Sequence, residues 1–487
     1  MPDRVPEPEV APTRGLGSRA LRNTVLVLAA KVLARVVALV TVIAVQRHLT
    51  EAPYGAFATL TNYTAIVSVV LDLGFNVLYV REGARDRSSI ERYLRNVMSL
   101  RALMSVVSLF LLALALGIAG LGGFLAPAFA LMVLTSYSTL LRNTLYAVQR
   151  LGFEAIAVVL ESLVLLGLVL LGIKTNQGVA YFVWAYAAQY AFSCAYFVIV
   201  LWARKIVKIG WRFEPELLRE WFWKGLPFAL TFILTILYFH IDQPLIYALR
   251  PKAEAGLYAA AYKPFEALLF LPQTFLSVVF PVLSIYHRER PSELLDAINR
   301  FFKALLLMGW PITVGTFVLA RSITNALHIY PASEPALQIL SLSLVIAFVN
   351  NSFIGALSAT DHQISFAWAA GWSLVANLAL NLTLIPTFGY IGASWATVLT
   401  EVVLGIAGWT LTARHIGRVP VHTISWRTLA AGLVMGVVVY FMKDMSGFAV
   451  IIPIVVGAVV YGAAVVLLRA LTSEEIAFAR RALALAR

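Results

Sequence analysis

Two cations, Lys31 and Arg35, lie four residues apart inside an apolar stretch that is long enough to cross a lipid bilayer. A helix brings residues at this spacing onto one face. Because a cation near the middle of a bilayer costs about 3 kcal/mol on insertion scales, it usually faces a protein interior or a watery cavity. Both side chains bind phosphate, Arg through a bidentate contact and Lys as a point charge. The pair predicts a site for an anionic group inside a membrane protein, and the alternative is an internal ion pair with Glu161 or Glu401.

The seventh and eighth apolar stretches contain four further ionisable residues, His240, Asp242, Lys263 and Glu266. A rise of about 1.5 Å per residue places all four in the outer half of the predicted second lobe. One interpretation is a coupling site, where a carboxylate titrates or takes a cation and links transport to a proton or sodium gradient. The other is a buried Asp242–Lys263 ion pair that holds two helices together. No metal site is expected, because no second His lies within ligand spacing of His240.

The cytoplasmic ends of the spans supply the remaining candidates. Asp72, with Arg81 and Arg101 near it, predicts either an inner-gate salt bridge or a plain helix-end ion pair. Besides the first pair, the residues that could form a basic substrate-binding surface are Lys263, Arg142 and Arg300. The alternative for the arginines near the cytoplasm is that they only anchor the topology.

The composition is that of a membrane protein. Hydrophobic residues make up 60% of the chain and charged residues 13%, and the mean hydropathy is +0.83. The net charge of +13 does not indicate nucleic acid, because the basic residues cluster in particular loops, as the positive-inside rule expects. The single cysteine, Cys194, excludes a disulfide within the chain. There is no phosphate-binding loop for nucleotide hydrolysis and no outer loop long enough for a catalytic domain, so no enzyme is expected.

Stretches of about 20 apolar residues predict about fourteen spans. They cover residues 22–46, 55–80, 96–119, 122–148, 152–173, 178–202, 222–249, 256–285, 298–322, 335–359, 363–386, 391–414, 426–443 and 448–469. About three quarters of the 38 Lys and Arg residues fall on one side of these spans, which predicts that this side and both termini are cytoplasmic. The predicted division is a disordered cytoplasmic tail (1–21), a first six-span lobe (22–203), a cytoplasmic linker (204–220), a second six-span lobe (221–415), two extra helices (426–470) and an amphipathic cytoplasmic tail (471–487).

A weak internal repeat supports the two lobes. The second span opens with APYGAF at residues 52–57, and the eighth opens with AGLYAA at residues 255–260. The offset relates two halves of the same orientation, as in one class of alternating-access transporters. The predicted fold is an all-α polytopic membrane protein with two six-helix lobes, in a pseudo-twofold arrangement around a central cavity.

Around these motifs the sequence resembles the polysaccharide and oligosaccharide flippases of the multidrug/oligosaccharidyl-lipid/polysaccharide (MOP) exporter superfamily. The first-half motif comprises residues 48–57 (HLTEAPYGAF), 71–75 (LDLGF) and 81–85 (REGAR), with Thr50 where the family pattern has Gly. The second-half match comprises residues 241–249 (IDQPLIYAL), 253–262 (AEAGLYAAAY) and 280–283 (FPVL).

The resemblance implies a flippase of the cell inner membrane that carries an oligosaccharide linked through diphosphate to undecaprenol. It implies no cofactor beyond a coupling proton or sodium ion. The partners that it implies are the bilayer and other polysaccharide-assembly proteins. Three alternatives stay open: a lipid II flippase, a multidrug exporter and a membrane sugar polymerase or ligase. Lys31 and Arg35 oppose the exporter, which should have an anionic lumen, and the short outer loops oppose the enzyme.

Overall fold

The computed structural model describes residues 14–445 and 447–471. Within these residues the regular secondary structure is helical throughout, with sixteen α-helices and three short 3-10 helices. The all-α prediction is confirmed. Long apolar segments form helices in a membrane because a helix satisfies every backbone polar group internally.

The first lobe contains seven helices, which pack mainly on one another. They are α1 (Arg14–His48), α2 (Glu51–Asp72), α3 (Phe75–Arg85), α4 (Ile90–Ile118), α5 (Leu125–Ala147), α6 (Leu151–Lys174) and α7 (Val179–Ala203). Helix α1 begins at Arg14, so it includes residues 14–21 of the predicted tail. The rest of that predicted tail, residues 1–13, lies outside the described residues, as do residues 472–487 of the predicted amphipathic tail.

The second lobe is built from α8 (Pro215–His240), α9 (Asp242–Leu249), α10 (Lys252–Glu289), α11 (Pro291–Val318), α12 (Ala320–Leu327), α13 (Glu334–Ala359) and α14 (Gln363–His415). The long α14 is two helices joined at Gly389, whose φ of 61° is non-helical. Two further helices, α15 (Val421–Tyr440) and α16 (Ile451–Leu467), pack on α11. There the indole of Trp310 donates a hydrogen bond to the carbonyl of Leu429 at 3.0 Å.

Nine helices of the described residues are long and apolar enough to cross a membrane, and ten if the bent α8 is one span. The prediction of a multi-pass membrane protein is therefore confirmed. The count of fourteen spans and the boundaries of the predicted divisions stay predictions.

The predicted second span is broken near the end that is predicted to be cytoplasmic. Helix α2 ends at Asp72, and Leu73 and Gly74 adopt φ values of 43° and 78° before α3 begins. At Gly74 a Cβ atom would lie 2.6 Å from the carbonyl oxygen of Gly225 on α8. A glycine is needed here both for its conformation and for this close approach to the second lobe.

The glycines of the internal repeat meet where the two lobes contact each other. Gly55 on α2 lies against the backbone of α10, so a Cβ on Gly55 would be 2.5 Å from the carbonyl oxygen of Lys252. In return, a Cβ on Gly256 would overlap the carbonyl of Glu51. We call this backbone-to-backbone contact the Gly55–Gly256 contact. It closes the space between the lobes at the ends of α2 and α10 that are predicted to face outward.

Candidate functional site

A cavity of about 210 Å³ lies between the two lobes. The first lobe contributes α1 and α2 to its wall, and the second contributes α8, α9 and α10. The structure brings five of the predicted site residues together in this wall, namely Arg35, His240, Asp242, Lys263 and Glu266. Two predicted binding residues, Arg142 and Arg300, are not part of the lining.

Arg35 faces the cavity without a carboxylate partner. Its guanidinium group lies 5.5 Å from the centre of the Phe270 ring, which is a cation–π contact. In the described part of the chain no carboxylate lies within ion-pairing distance of Arg35, and the Glu266 carboxylate of the same cavity is paired with Lys263. The predicted alternative, a pairing of Arg35 with Glu161 or Glu401, is wrong.

Lys31 has a different environment from Arg35, although both lie on one face of α1. Its ammonium group donates a hydrogen bond to the hydroxyl of Tyr146 at 3.1 Å and lies 3.7 Å from Glu154. An internal ion pair was the predicted alternative, but its partner is Glu154 rather than Glu161 or Glu401. Lys31 is therefore neutralised in this arrangement and does not line the cavity.

The two carboxylates that were expected to pair with α1 have partners elsewhere. Glu161 accepts a hydrogen bond from Arg142 at 2.6 Å and another from the Ser193 hydroxyl at 2.5 Å. This contact neutralises Arg142, and its predicted role in substrate binding finds no support in the geometry. Glu401 accepts from the hydroxyl of Tyr238 at 2.8 Å, within the second lobe.

The predicted Asp242–Lys263 pair does not form. Lys263 pairs with Glu266 at 2.8 Å, since the two lie three residues apart on α10 and share a helical face. Asp242, at the start of α9, is only 6% exposed. Its carboxylate is thus surrounded by neutral groups instead of a cation.

Three neutral donors hold the Asp242 carboxylate. Tyr258 donates at 2.9 Å, Asn381 at 2.7 Å and Thr397 at 3.2 Å. The amide oxygen of Asn381 is buried and has no hydrogen-bond partner. A buried carboxylate beside an unpaired amide oxygen and two hydroxyl oxygens is an arrangement that suits a proton or a hard cation. The sequence pattern missed Tyr258 and Thr397, which lie on two other helices, 16 and 155 residues from Asp242 along the chain.

His240 connects the two lobes. Its ring nitrogen Nδ1 donates to the amide oxygen of Asn62 on α2 at 2.6 Å. The contact lies at the wall of the cavity, next to Lys263 and Glu266. A gating role for His240 stays a prediction, and the position of the residue between the lobes is consistent with it.

Asp72 is part of a polar cluster inside the first lobe. It accepts from the guanidinium group of Arg101 at 3.3 Å, and the backbone N–H of Asn76 donates to it at 3.0 Å. Arg101 is 1% exposed and also contacts the hydroxyl of Ser136 at 2.8 Å. All of these residues lie on helices of the first lobe, so the geometry fits the helix-end ion pair and not a gate between lobes.

The family model described as "Polysaccharide biosynthesis protein" matches residues 20–287. This is more than half of the chain. The chain belongs to the polysaccharide biosynthesis protein family. Its matched segment includes Arg35, Asp242, Lys263 and Glu266, and therefore all of the charged residues that line the cavity.

A curated relative of this family member is the probable low-salt glycan biosynthesis flippase Agl15 of Haloferax volcanii, which is 23% identical over 224 residues. The match covers 45% of this chain and spans about half, 47%, of the relative.

Among solved structures, the inward closed lipid II flippase MurJ aligns with a TM-score of 0.75 and 14% identity, over 92% of this chain and 99% of that protein. An inward-facing multidrug resistance MATE family transporter of the MOP superfamily aligns with a TM-score of 0.64 and 16% identity, over 80% of this chain and 98% of that one. At these identities the alignments show the fold, which is the two-lobed fold of the MOP superfamily. The predicted two-lobed fold is confirmed.

Proposed function

We propose that the protein is a flippase that moves an oligosaccharide, linked through diphosphate to a polyprenol, across the membrane by alternating access. The observation that carries this proposal is Arg35, a cation at the wall of a cavity between two lobes that has no carboxylate partner among the described residues. Membership of the polysaccharide biosynthesis protein family and the similarity to a glycan biosynthesis flippase support it. The similar proteins are described as flippases and transporters, which favours transport over an enzymatic reaction.

Arg35 supplies the attraction that the substrate requires. A diphosphate carries negative charge that cannot cross hydrocarbon unaided. Two opposite unit charges about 4 Å apart attract by about 4 kcal/mol at an effective dielectric constant of about 20. The planar guanidinium group can hold a phosphoryl group with two parallel hydrogen bonds, and the ring of Phe270 keeps that group in place at the wall.

The cavity is too small for the whole cargo in this conformation. Its 210 Å³ is below the roughly 300–1,000 Å³ of typical small-molecule sites. It has room for the diphosphate and the adjoining part of one sugar, so the lobes must separate to admit an oligosaccharide. The polyprenyl tail stays in the bilayer throughout transport, so the bilayer is itself a partner of the protein.

The orientation and location complete the proposal. The excess of Lys and Arg on one side supports cytoplasmic termini, and the cargo would then be loaded from that side. The proposed location is the cell inner membrane, where the enzymes that assemble and polymerise the oligosaccharide would be its partners.

Asp242 is the proposed coupling residue. Its neutral hydrogen-bond donors and the unpaired oxygen of Asn381 leave room for a proton or a sodium ion to neutralise the carboxylate. Binding and release of that ion would favour different arrangements of α9, α10 and α14, which all contact the site.

Replacing Arg35 tests the proposal. In proteoliposomes with an undecaprenyl-diphosphate oligosaccharide, Arg35→Ala should weaken lipid binding by about 10- to 100-fold, as expected for a charged hydrogen bond. Arg35→Lys should retain part of the activity because the charge stays. The control is Arg85→Ala, which removes an exposed cation that pairs with Glu82 on the surface. Unchanged transport and binding in Arg35→Ala would contradict the proposed function.

A lipid II flippase is the second candidate. The alignment with MurJ over 92% of the chain is the observation that favours it. Lipid II also carries a diphosphate, so the role of Arg35 is the same in both cases. The same vesicles loaded with lipid II distinguish the two, since the proposed function expects faster transport of the oligosaccharide lipid.

A further inference from the structure

Lys31 and Arg35 are separated by one turn of α1, about 6 Å along the helix axis, yet only Arg35 lines the cavity. Lys31 is held toward the first lobe by Tyr146 and Glu154. The Tyr146 hydroxyl accepts from Lys31 at 3.1 Å and donates to Glu154 Oε1 at 3.0 Å. The three side chains therefore form a short chain of hydrogen bonds from α1 through α5 to α6.

We propose that Glu154 is a positioning residue, which holds Lys31 away from the cavity in the empty transporter and releases it to the diphosphate of the incoming lipid. This inference rests on the proposed function, because it assigns a second cation and its control to the same site. The bound state would then use two cations from one face of α1, and the empty state only one.

The contacts of Glu154 are those of a temporary partner. Its carboxylate is 2% exposed, and its oxygen Oε2 is buried without a hydrogen-bond partner. The ammonium of Lys31 lies 3.7 Å away, longer than the roughly 2.7–2.9 Å of a direct charged hydrogen bond. The Lys31 side chain is 36% exposed and has a flexible four-carbon stem, so it can leave without a change of the backbone.

A neighbouring pair shows what a permanent contact looks like in the same lobe. Arg142 and Glu161 are joined by two hydrogen bonds of 2.7 and 2.6 Å, and Ser193 donates a third at 2.5 Å. Lys31 and Glu154 are 3.7 Å apart and are linked by hydrogen bonds only through Tyr146. A diphosphate, which offers more negative charge and more acceptor oxygens than one carboxylate, can therefore compete for Lys31 but not for Arg142.

The position of Lys31 along α1 suits capture of the lipid. If the N-terminus is cytoplasmic, as proposed, Lys31 is one turn nearer to the cytoplasm than Arg35. A lipid that enters from the cytoplasm reaches Lys31 first and Arg35 second. Adjacent phosphoryl groups could then be held by the two cations, while Glu154 loses its partner and repels the anion from the first lobe.

The test is the affinity of the purified full-length protein for undecaprenyl diphosphate without a sugar. Glu154→Gln removes the competing charge but keeps an oxygen for Tyr146, and should tighten binding by about 2- to 5-fold, the size of a partly exposed ion pair. The gain should disappear in the double variant with Lys31→Met. Glu401→Gln is the matched control, because this buried carboxylate also accepts from a tyrosine but holds no cation.

The outcomes separate this inference from the proposed function. Unchanged or weaker binding in folded Glu154→Gln would overturn the role of Glu154, provided that Arg35→Ala still weakens binding. If Arg35→Ala has no effect either, the proposed function fails. If Glu154→Gln does not fold, Glu154→Asp is used instead. Its side chain is shorter by one methylene, so the carboxylate lies farther from Lys31, and the affinity for undecaprenyl diphosphate should rise by about 2-fold. No gain with that variant overturns the inference.

Discussion

Replacing Gly256 with Val should separate the two lobes at the side that is predicted to face outward. A Cβ at this position overlaps the carbonyl of Glu51, a backbone group that cannot rotate away as a side chain could. Overpacking of a close contact costs about 1–3 kcal/mol. In the proposed alternating-access cycle the open arrangement lacks this contact, so the cost would shift the equilibrium between closed and open by about 5- to 150-fold.

A cysteine in the cavity wall measures that shift. Ala58, which lines the cavity and is 4% exposed, is replaced by Cys in a background in which the only native cysteine, Cys194, is Ala. A membrane-impermeant maleimide added from outside should modify Cys at position 58 faster by up to the same factor when Gly256→Val is present. The control is Gly167→Val, since a Cβ on Gly167 meets nothing within 4 Å. Equal labelling rates in the two folded variants would refute the closing role of the Gly55–Gly256 contact.

Three further predictions concern stability and coupling. Arg101→Met should lower the free energy of unfolding by about 3–5 kcal/mol, as measured by denaturant titration in detergent, because it leaves Asp72 buried without its cation. The hydrogen bonds from Arg92 lower the pKa of Glu214, in the predicted linker, from 4.5 to about 2. The stability that this contact contributes is therefore fully present above pH 4.5 and is lost as the pH falls toward 2. In melting experiments the stability advantage of the native protein over Glu214→Gln should shrink over the same pH range. Asp242→Asn should remove any dependence of transport on pH or sodium, and an unchanged dependence would make Asp242 structural.

Most of the helix positions could be predicted because an apolar stretch in a membrane has few alternatives to a helix. The break between α2 and α3 could not. Residues 55–80 read as one apolar span, and the conformation of Gly74 depends on its contact with Gly225 in the second lobe. Such a contact joins residues that are distant along the chain, so no local pattern contains it.

The candidate site shows the same limit of local information. Spacing correctly placed Lys31 and Arg35 on one helix, and Lys263 with Glu266 on one face of another. It could not tell which cation meets a carboxylate, because Glu154 reaches Lys31 only through the packing of α6 on α1. For this reason Lys31 and Arg35, which the sequence could not distinguish, have different electrostatic environments in the fold.

The charges of the cavity suggest how coupling and substrate binding are linked. Arg35 and Lys263 are cationic, and Glu266 and Asp242 are carboxylates, so the wall is close to neutral when Asp242 is ionised. A proton or sodium ion on Asp242 would leave the wall with one excess positive charge and raise its affinity for a diphosphate. By thermodynamic linkage, the bound diphosphate would raise the affinity of Asp242 for the ion by the same factor. The same carboxylate that accepts the coupling ion would thus decide when Arg35 can attract the lipid.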